Sequence, residues 1–267
     1  MQDPQVALLG YGEVGRILAG GLAGRVRLRV YDPACPPGGP ASGELVASNA
    51  AAVRGADVVI AVTTGADSLT AGTESLPHLK PGALYADLST GAPGDKRRLA
   101  EVLEPGGAAV VDGAIMAPIP LRGLATPVLA SGEQAERFAA FAGAYGMAVT
   151  PIGGAPGDAA ARKLLRSVLV KGLSALLIES RRAAEAAGLG EWFWGHLLET
   201  VENADEAFVV RLLQGAGRHG VRRVHEMEAA TRMLTELGVP ATMTEAITAT
   251  LDHATRTGVP PTPDKTP

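Results

Sequence analysis

Six residues near the amino terminus, Gly10-Tyr11-Gly12-Glu13-Val14-Gly15, form a G-x-G-x-x-G element between a short apolar run and a helical pattern. At that spacing Gly10 permits a tight turn, Gly12 lets backbone approach a pyrophosphate, and Gly15 lets the helix close on the strand. Tyr11, Glu13 and Val14 complete the loop, and the helix start offers unpaired N–H groups and partial positive charge to phosphates. In a chain with 34 glycines the motif alone says little. Its context decides: a strand before it, a helix after it, and Asp32 closing the second strand. A carboxylate there accepts hydrogen bonds from ribose hydroxyls and repels a 2′-phosphate. No Arg follows closely; the next residues are Pro33, Ala34, Cys35 and Pro36. NAD(H) is therefore favoured as cofactor, with NADP(H) possible, and Cys35 is read as a bystander.

Other reactive side chains carry weaker signals. Trp192 and Trp194 fit either an aromatic substrate wall or helix packing. His225 beside Glu226 fits acid–base work, although a structural role explains it as readily. No His, Cys and carboxylate spacing matches a metal site, and no G-x-S-x-G elbow marks a hydrolase.

These groups need a scaffold, and composition bounds it. The 267 residues are 46% hydrophobic and 19% charged, enough for one large domain or two modest ones, and neither figure fits a disordered chain. A net charge of -4 argues against a broad nucleic-acid surface. The Arg218, Arg222 and Arg223 cluster lies beside Glu226 and Glu228 and reads as a paired surface. A single cysteine excludes an intrachain disulfide. No apolar run reaches the roughly 18 residues of a membrane helix, and the start lacks a basic leader. The expected location is cytoplasmic.

Up to residue 155 short apolar runs alternate with helical segments. Strands are expected at Val6–Leu9, Arg27–Tyr31, Asp57–Thr63, Leu84–Leu88, Ala108–Asp112, Pro127–Ser131 and Met147–Thr150. Helices are expected at Val14–Ala23, Ser48–Arg54, Lys96–Val102 and Glu133–Tyr145. Such alternation predicts a doubly wound α/β sheet of Rossmann type. From 156 to 258 the texture is all helical. A long linking helix starts at Asp158, read as its N-cap, and runs to about Ala187. Further helices are expected at Trp192–Asn203, Glu206–Leu213, Val221–Leu237 and Ala241–Thr255, and residues 259–267 form a flexible tail. The apolar linking helix is much surface for a small bundle to hide alone, so a homodimer through the helical domain is expected.

Beyond the glycine loop, Ala61-Val62-Thr63-Thr64, Asp87-Leu88-Ser89-Thr90, Asp112-Gly113-Ala114-Ile115-Met116-Ala117-Pro118 and Gly157 through Ser167 recur in order. Together they resemble the β-hydroxyacid dehydrogenase or 6-phosphogluconate dehydrogenase-like superfamily, to which imine reductases are related. The resemblance covers about residues 5 to 185, and the rest is similar to the short helical domain of an uncharacterised branch. It implies a nicotinamide-dependent oxidoreductase, with Thr63, Thr64 and Ser89 near the cofactor and Thr90 near the substrate. The family's Ser-Gly-Gly carboxylate cradle would fall on Met116, Ala117 and Pro118, which departs from the pattern and makes a phosphorylated sugar acid a poor substrate. The family's catalytic lysine would fall on Lys163, and Ser167 stands where Asn is usual. Lys163, Ser167, Val170 and Ser174 share one helix face; Lys171 is a weaker alternative for the lysine. The expected function is hydride transfer between nicotinamide and a small alcohol/carbonyl or amine/imine substrate; the alternatives are an imine reductase-like enzyme of secondary metabolism, or cofactor binding without turnover by a sensor or scaffold.

Overall fold

Alternation within the first apolar run sends Val6 and Leu8 to one face of a sheet and Ala7 and Leu9 to the other, and all four are at most 1% exposed. This run is β1 (Gln5–Leu9) of the computed structural model, which describes residues 3–35 and 42–262. Pro36 and residues 263–267 of the expected tail lie outside the described residues. Around β1 the chain forms β2 (Arg27–Tyr31), β3 (Glu44–Leu45), β4 (Val58–Ala61), β5 (Leu84–Asp87), β6 (Ala109–Ile115), β7 (Val128–Ser131) and β8 (Val149–Pro151). They make one sheet in the order β3-β2-β1-β4-β5-β6-β7-β8. Strands β1 to β6 run parallel, β7 is antiparallel to β6, and β8 is parallel to β7.

Helices α1 (Glu13–Leu22) and α5 (Ala135–Ala144) contribute Leu18, Leu22 and Phe138 to the apolar layer containing Val6 and Leu8. On the opposite face α2 (Asn49–Val53) and α4 (Pro93–Leu103) bring Ala52, Val53, Leu99 and Leu103 against Ala7, Leu9 and Tyr85. Sheet order reverses direction between β1 and β4, which opens a crevice at the carboxyl ends of these strands, the place where doubly wound sheets bind ligands.

Packing divides the chain at 166/167. The reason is that the first turns of α6 (Asp158–Ala186) belong to the sheet unit: Ala159 and Ala160 are buried. Its amide ends are capped from a distance. Asp112 Oδ2 accepts from the N–H groups of Gly157 and Ala160 at 3.0 Å, and Ser131 Oγ accepts from Ala159 at 3.0 Å. Asp158, expected to be the cap, instead turns its carboxylate back to the Ala155 N–H.

The second unit continues along α6 with α7 (Gly190–Glu202), α8 (Glu206–Arg218), α9 (Gly220–Glu236) and α10 (Thr242–Thr257). Asp205 caps α8 by accepting from Phe208 N–H at 2.7 Å. That helix passes through Gly215 and Gly217 instead of stopping at Leu213. Glu179 of α6 caps α10, accepting from the Met243 and Thr244 amides and the Thr244 hydroxyl at 2.7–2.8 Å. The buried apolar cluster described in this unit is small: Ala183, Leu234 and Ala241, with Val239 packed on it.

Candidate active site

The glycine loop leaves β1 with a geometry that only glycine satisfies at two positions. Gly10 has φ +101°, and a Cβ there would lie 2.7 Å from the Val62 carbonyl. A Cβ on Gly15 would lie 2.1 Å from the Gly10 carbonyl, so α1 could not approach the strand. Gly12 differs: nothing lies within 4 Å of its missing Cβ, and no side chain caps the helix it starts. It therefore borders open space at a helix N-terminus, the arrangement that receives a phosphate.

Asp32 fixes the other wall. Its Oδ2 accepts from the Tyr11 N–H at 2.6 Å and its Oδ1 from the Ala34 N–H at 2.8 Å. Each carboxylate oxygen keeps a further acceptor site for a ribose hydroxyl. Between these walls lies a cleft of about 470 Å³, bordered by Gly10, Gly12, Asp32, Thr63, Asp67 and Glu74 among others. Among the described residues that line it, three are carboxylates and none is Lys or Arg. An unhindered Gly12, an uncapped helix start and a carboxylate with spare lone pairs fit a dinucleotide. Of the remaining loop residues, Tyr11 is buried, Val14 packs on the core and Glu13 is exposed.

At the carboxyl ends of β4 and β5, Thr63 Oγ1 and Ser89 Oγ share a hydrogen bond of 3.0 Å, and Thr64 donates to Asp67 at 2.6 Å. Ser89 is 4% exposed and its N–H donates to Asp87 Oδ1 at 3.0 Å. Thr90, the next residue, is exposed and accepts from Lys163 Nζ at 2.7 Å. Thus two hydrogen-bonded pairs, Thr63–Ser89 and Thr90–Lys163, joined through the Ser89–Thr90 peptide bond, form one polar chain whose Thr63 end borders the cleft. Met116 and Ala117 are half-buried and Pro118 exposed, in the loop leaving β6. The Met116 N–H is spent on the Pro127 carbonyl at 2.8 Å, and Pro118 has no N–H, so only Ala117 keeps an amide to offer there.

Beneath this chain lies a cluster whose ammonium sequence reading missed. Register places Asp87, the last residue of β5, directly beside Asp112 in the middle of β6. Lys96, one turn into α4, is 2% exposed and reaches both. Its Nζ donates to Asp87 Oδ2 at 2.8 Å, the Asp87 carbonyl at 3.0 Å and the Ser89 carbonyl at 2.7 Å, and lies 3.7 Å from Asp112 Oδ1. Ser68 at the start of α3 (Ser68–Ser75) completes the Asp87 shell at 2.6 Å. Two adjacent aspartates in apolar strands were the available signal, because buried carboxylates require a cation.

The remaining expected residues lie in the helical unit. Ser167 is half-buried one turn beyond Lys163. Trp192 stacks on His196 with centroids 5.5 Å apart, Trp194 carries the Arg181 guanidinium over its ring, and His225 is exposed. Among the described residues no His, Cys, Asp and Glu group could hold a metal ion, and no helix is long and apolar enough to cross a membrane.

A parallel sheet ordered 3-2-1-4-5-6 with a glycine loop at its switch point defines a dinucleotide-binding Rossmann domain. Residues 5–119 match the NAD binding domain of 6-phosphogluconate dehydrogenase, and residues 184–254 match a domain of unknown function. The chain belongs to the 6-phosphogluconate dehydrogenase-like superfamily. A conserved protein of unknown function, described as structurally similar to 3-hydroxyacid dehydrogenases, is 31% identical over 93% of this chain and 95% of its own, with a TM-score of 0.62. An imine reductase variant from Myxococcus stipitatus in complex with NAD+ shares the fold at 20% identity, covering 97% and 96% of the two chains (TM-score 0.78). A reductive aminase from Aspergillus terreus in complex with NADPH and ethyl-5-oxohexanoate does so at 19%, with the same coverage and a TM-score of 0.77. No curated protein is significantly similar to the chain.

Proposed function

We propose that the chain is a nicotinamide-dependent reductase of small carbonyl or imine groups, with Lys163 as the proton donor. The observation that carries this reading is the 2.7 Å bond from Lys163 to Thr90, which brings an ammonium to the polar chain beside the dinucleotide cleft. A bound dinucleotide would supply hydride at its nicotinamide ring. Negative charge then builds on the substrate oxygen or nitrogen, and an ammonium supplies both a proton and charge stabilisation. Ser89, tied to Thr63, orients the neighbouring Thr90; Ser167 is a further candidate on the same helix.

Two features refine the reading. Asp32 and an otherwise acidic cleft favour NAD(H) over NADP(H), since a 2′-phosphate would meet three carboxylates without a cation. The Met116-Ala117-Pro118 loop offers too few donors for an anionic acid group, which favours a less polar ketone or an imine and supports imine reductase-like chemistry. Trp192, Trp194 and His225 remain candidates for contact with such a substrate.

The assay is NADH oxidation, followed at the nicotinamide absorbance band, against ketones alone and ketones mixed with amines. Turnover that needs the amine identifies imine reduction, and turnover without it identifies carbonyl reduction. NADH binding with no oxidation across both panels would instead make the protein a cofactor sensor or scaffold.

We also propose a homodimer formed through the helical unit. Leu169, Leu173, Ile178, Trp192, Val201 and Val221 are each at least half exposed. A second copy would cover them.

A further inference from the structure

We propose that Lys96 is the positioning residue of this site, joining the Ser89–Thr90 turn to the first turn of α6 so that Thr90 and Lys163 stay paired. This rests on the reading of Lys163 as the proton donor. The three N–H groups of the ammonium match three near acceptors: the Asp87 carboxylate, the Asp87 carbonyl and the Ser89 carbonyl. Two of these acceptors belong to the backbone that presents Ser89 and Thr90. The fourth neighbour, Asp112 Oδ1 at 3.7 Å, is buried with no hydrogen-bond partner, so the ammonium offsets its charge through space. The other oxygen of Asp112 holds the Gly157 and Ala160 amides, which set where α6 begins and therefore where Lys163 projects.

The cluster is closed to water: Lys96, Asp87 and Asp112 are at most 2% exposed. Two carboxylates face one ammonium, and the surplus negative charge sits at the α6 N-terminus, where the helix dipole and its amides favour it. A lysine placed only to balance Asp87 would not need the Ser89 carbonyl. That contact turns a buried ion pair into a brace between the end of β5 and the cleft.

The test uses the full chain and two variants, Lys96→Met and the charge-balanced Lys96→Met/Asp87→Asn. Three readouts apply: NADH affinity, kcat and KM for a turned-over ketone or imine, and amide hydrogen exchange. Both variants should bind NADH within about threefold of the unmodified protein, because the glycine loop and Asp32 are untouched. In both, kcat should fall roughly 100-fold with KM for NADH nearly constant, the loss expected when reacting groups shift by about 1 Å. Exchange should quicken at the Ser89, Gly157 and Ala160 amides while those of β1 and α1 stay protected. If the single variant does not fold, the double variant carries the test, since it leaves no second uncompensated carboxylate. Full turnover in the double variant would show that Lys96 only balances charge and would overturn the proposal. If the unmodified protein turns over nothing, the reductase reading fails, and unchanged exchange at those three amides would separately refute the brace.

Discussion

The Tyr11 N–H donates to Asp32 Oδ2 at 2.6 Å, so the residue proposed to select the ribose also holds the glycine loop. Two functions meet in one carboxylate. NADH should bind more tightly than NADPH, and Asp32→Ala should narrow the gap by about 1–3 kcal/mol through loss of charge-assisted hydrogen bonds. Asp32→Asn, which can still accept from Tyr11, should lose less affinity for NADH. Calorimetric titration that found NADPH tighter on the unmodified protein would refute the assignment.

Two of the motif glycines, Gly12 and Gly15, should separate by mutation. Gly12→Ala places a methyl in open space, so thermal stability should barely change while NADH affinity falls at least about tenfold. Gly15→Ala drives a Cβ to 2.1 Å from the Gly10 carbonyl and should cost several kcal/mol of stability, as overpacking and backbone displacement do. Melting curves and NADH titrations distinguish the two. Equal effects on both readouts would mean that the loop is not shaped around a ligand.

Stability should carry an acid limb from Glu179. Burial works to raise its carboxyl, but the Thr244 hydroxyl and the Met243 and Thr244 amides outweigh it and hold it below the ordinary carboxylate range. A lowered folded-state value means that the stabilisation is full above the unfolded value of about 4.3 and fades as pH falls through the folded one. Glu179→Ala should cost about 1–2 kcal/mol at pH 7, the usual worth of a helix cap. It should also flatten urea-unfolding stability below pH 4. An unchanged acid limb would remove Glu179 from the account.

Light scattering should report twice the 27.2 kDa chain mass across a wide concentration range. Replacing exposed Leu169 or Trp192 by Glu should shift the population towards monomer. A 27.2 kDa particle at all concentrations would contradict the dimer.

Local signals made the dinucleotide half legible. The β1 run, the glycine loop, α1 and Asp32 are all encoded within 35 residues, and each obeys its own short-range rule. Helix α3 escaped because Ser68-Leu69-Thr70-Ala71-Gly72-Thr73-Glu74-Ser75 has little apolar periodicity. It is held by packing, with a Cβ on Gly72 falling 2.3 Å from Leu99. The reversal of β7 also escaped, since an apolar run does not state its direction. Lys96 entered the sequence reading only as the first residue of the expected helix Lys96–Val102. Only the register that sets Asp87 beside Asp112 shows why it is buried. The cap on α6 was misread for the same reason: Asp158 was local and plausible, while Asp112 does the work from 45 residues away.

The central claim is that Lys163 delivers the proton. The decisive measurement is turnover of a ketone or imine by Lys163→Ala, with NADH affinity determined on the same preparation. Turnover should fall roughly 10²–10⁴-fold, the usual worth of a general acid. NADH affinity should hold, because the proposed dinucleotide contacts at Gly12 and Asp32 are untouched. Lys171→Ala, an exposed lysine further along the same helix, should do much less. Full turnover in the Lys163 variant, or failure of the Lys171 variant instead, would contradict the assignment.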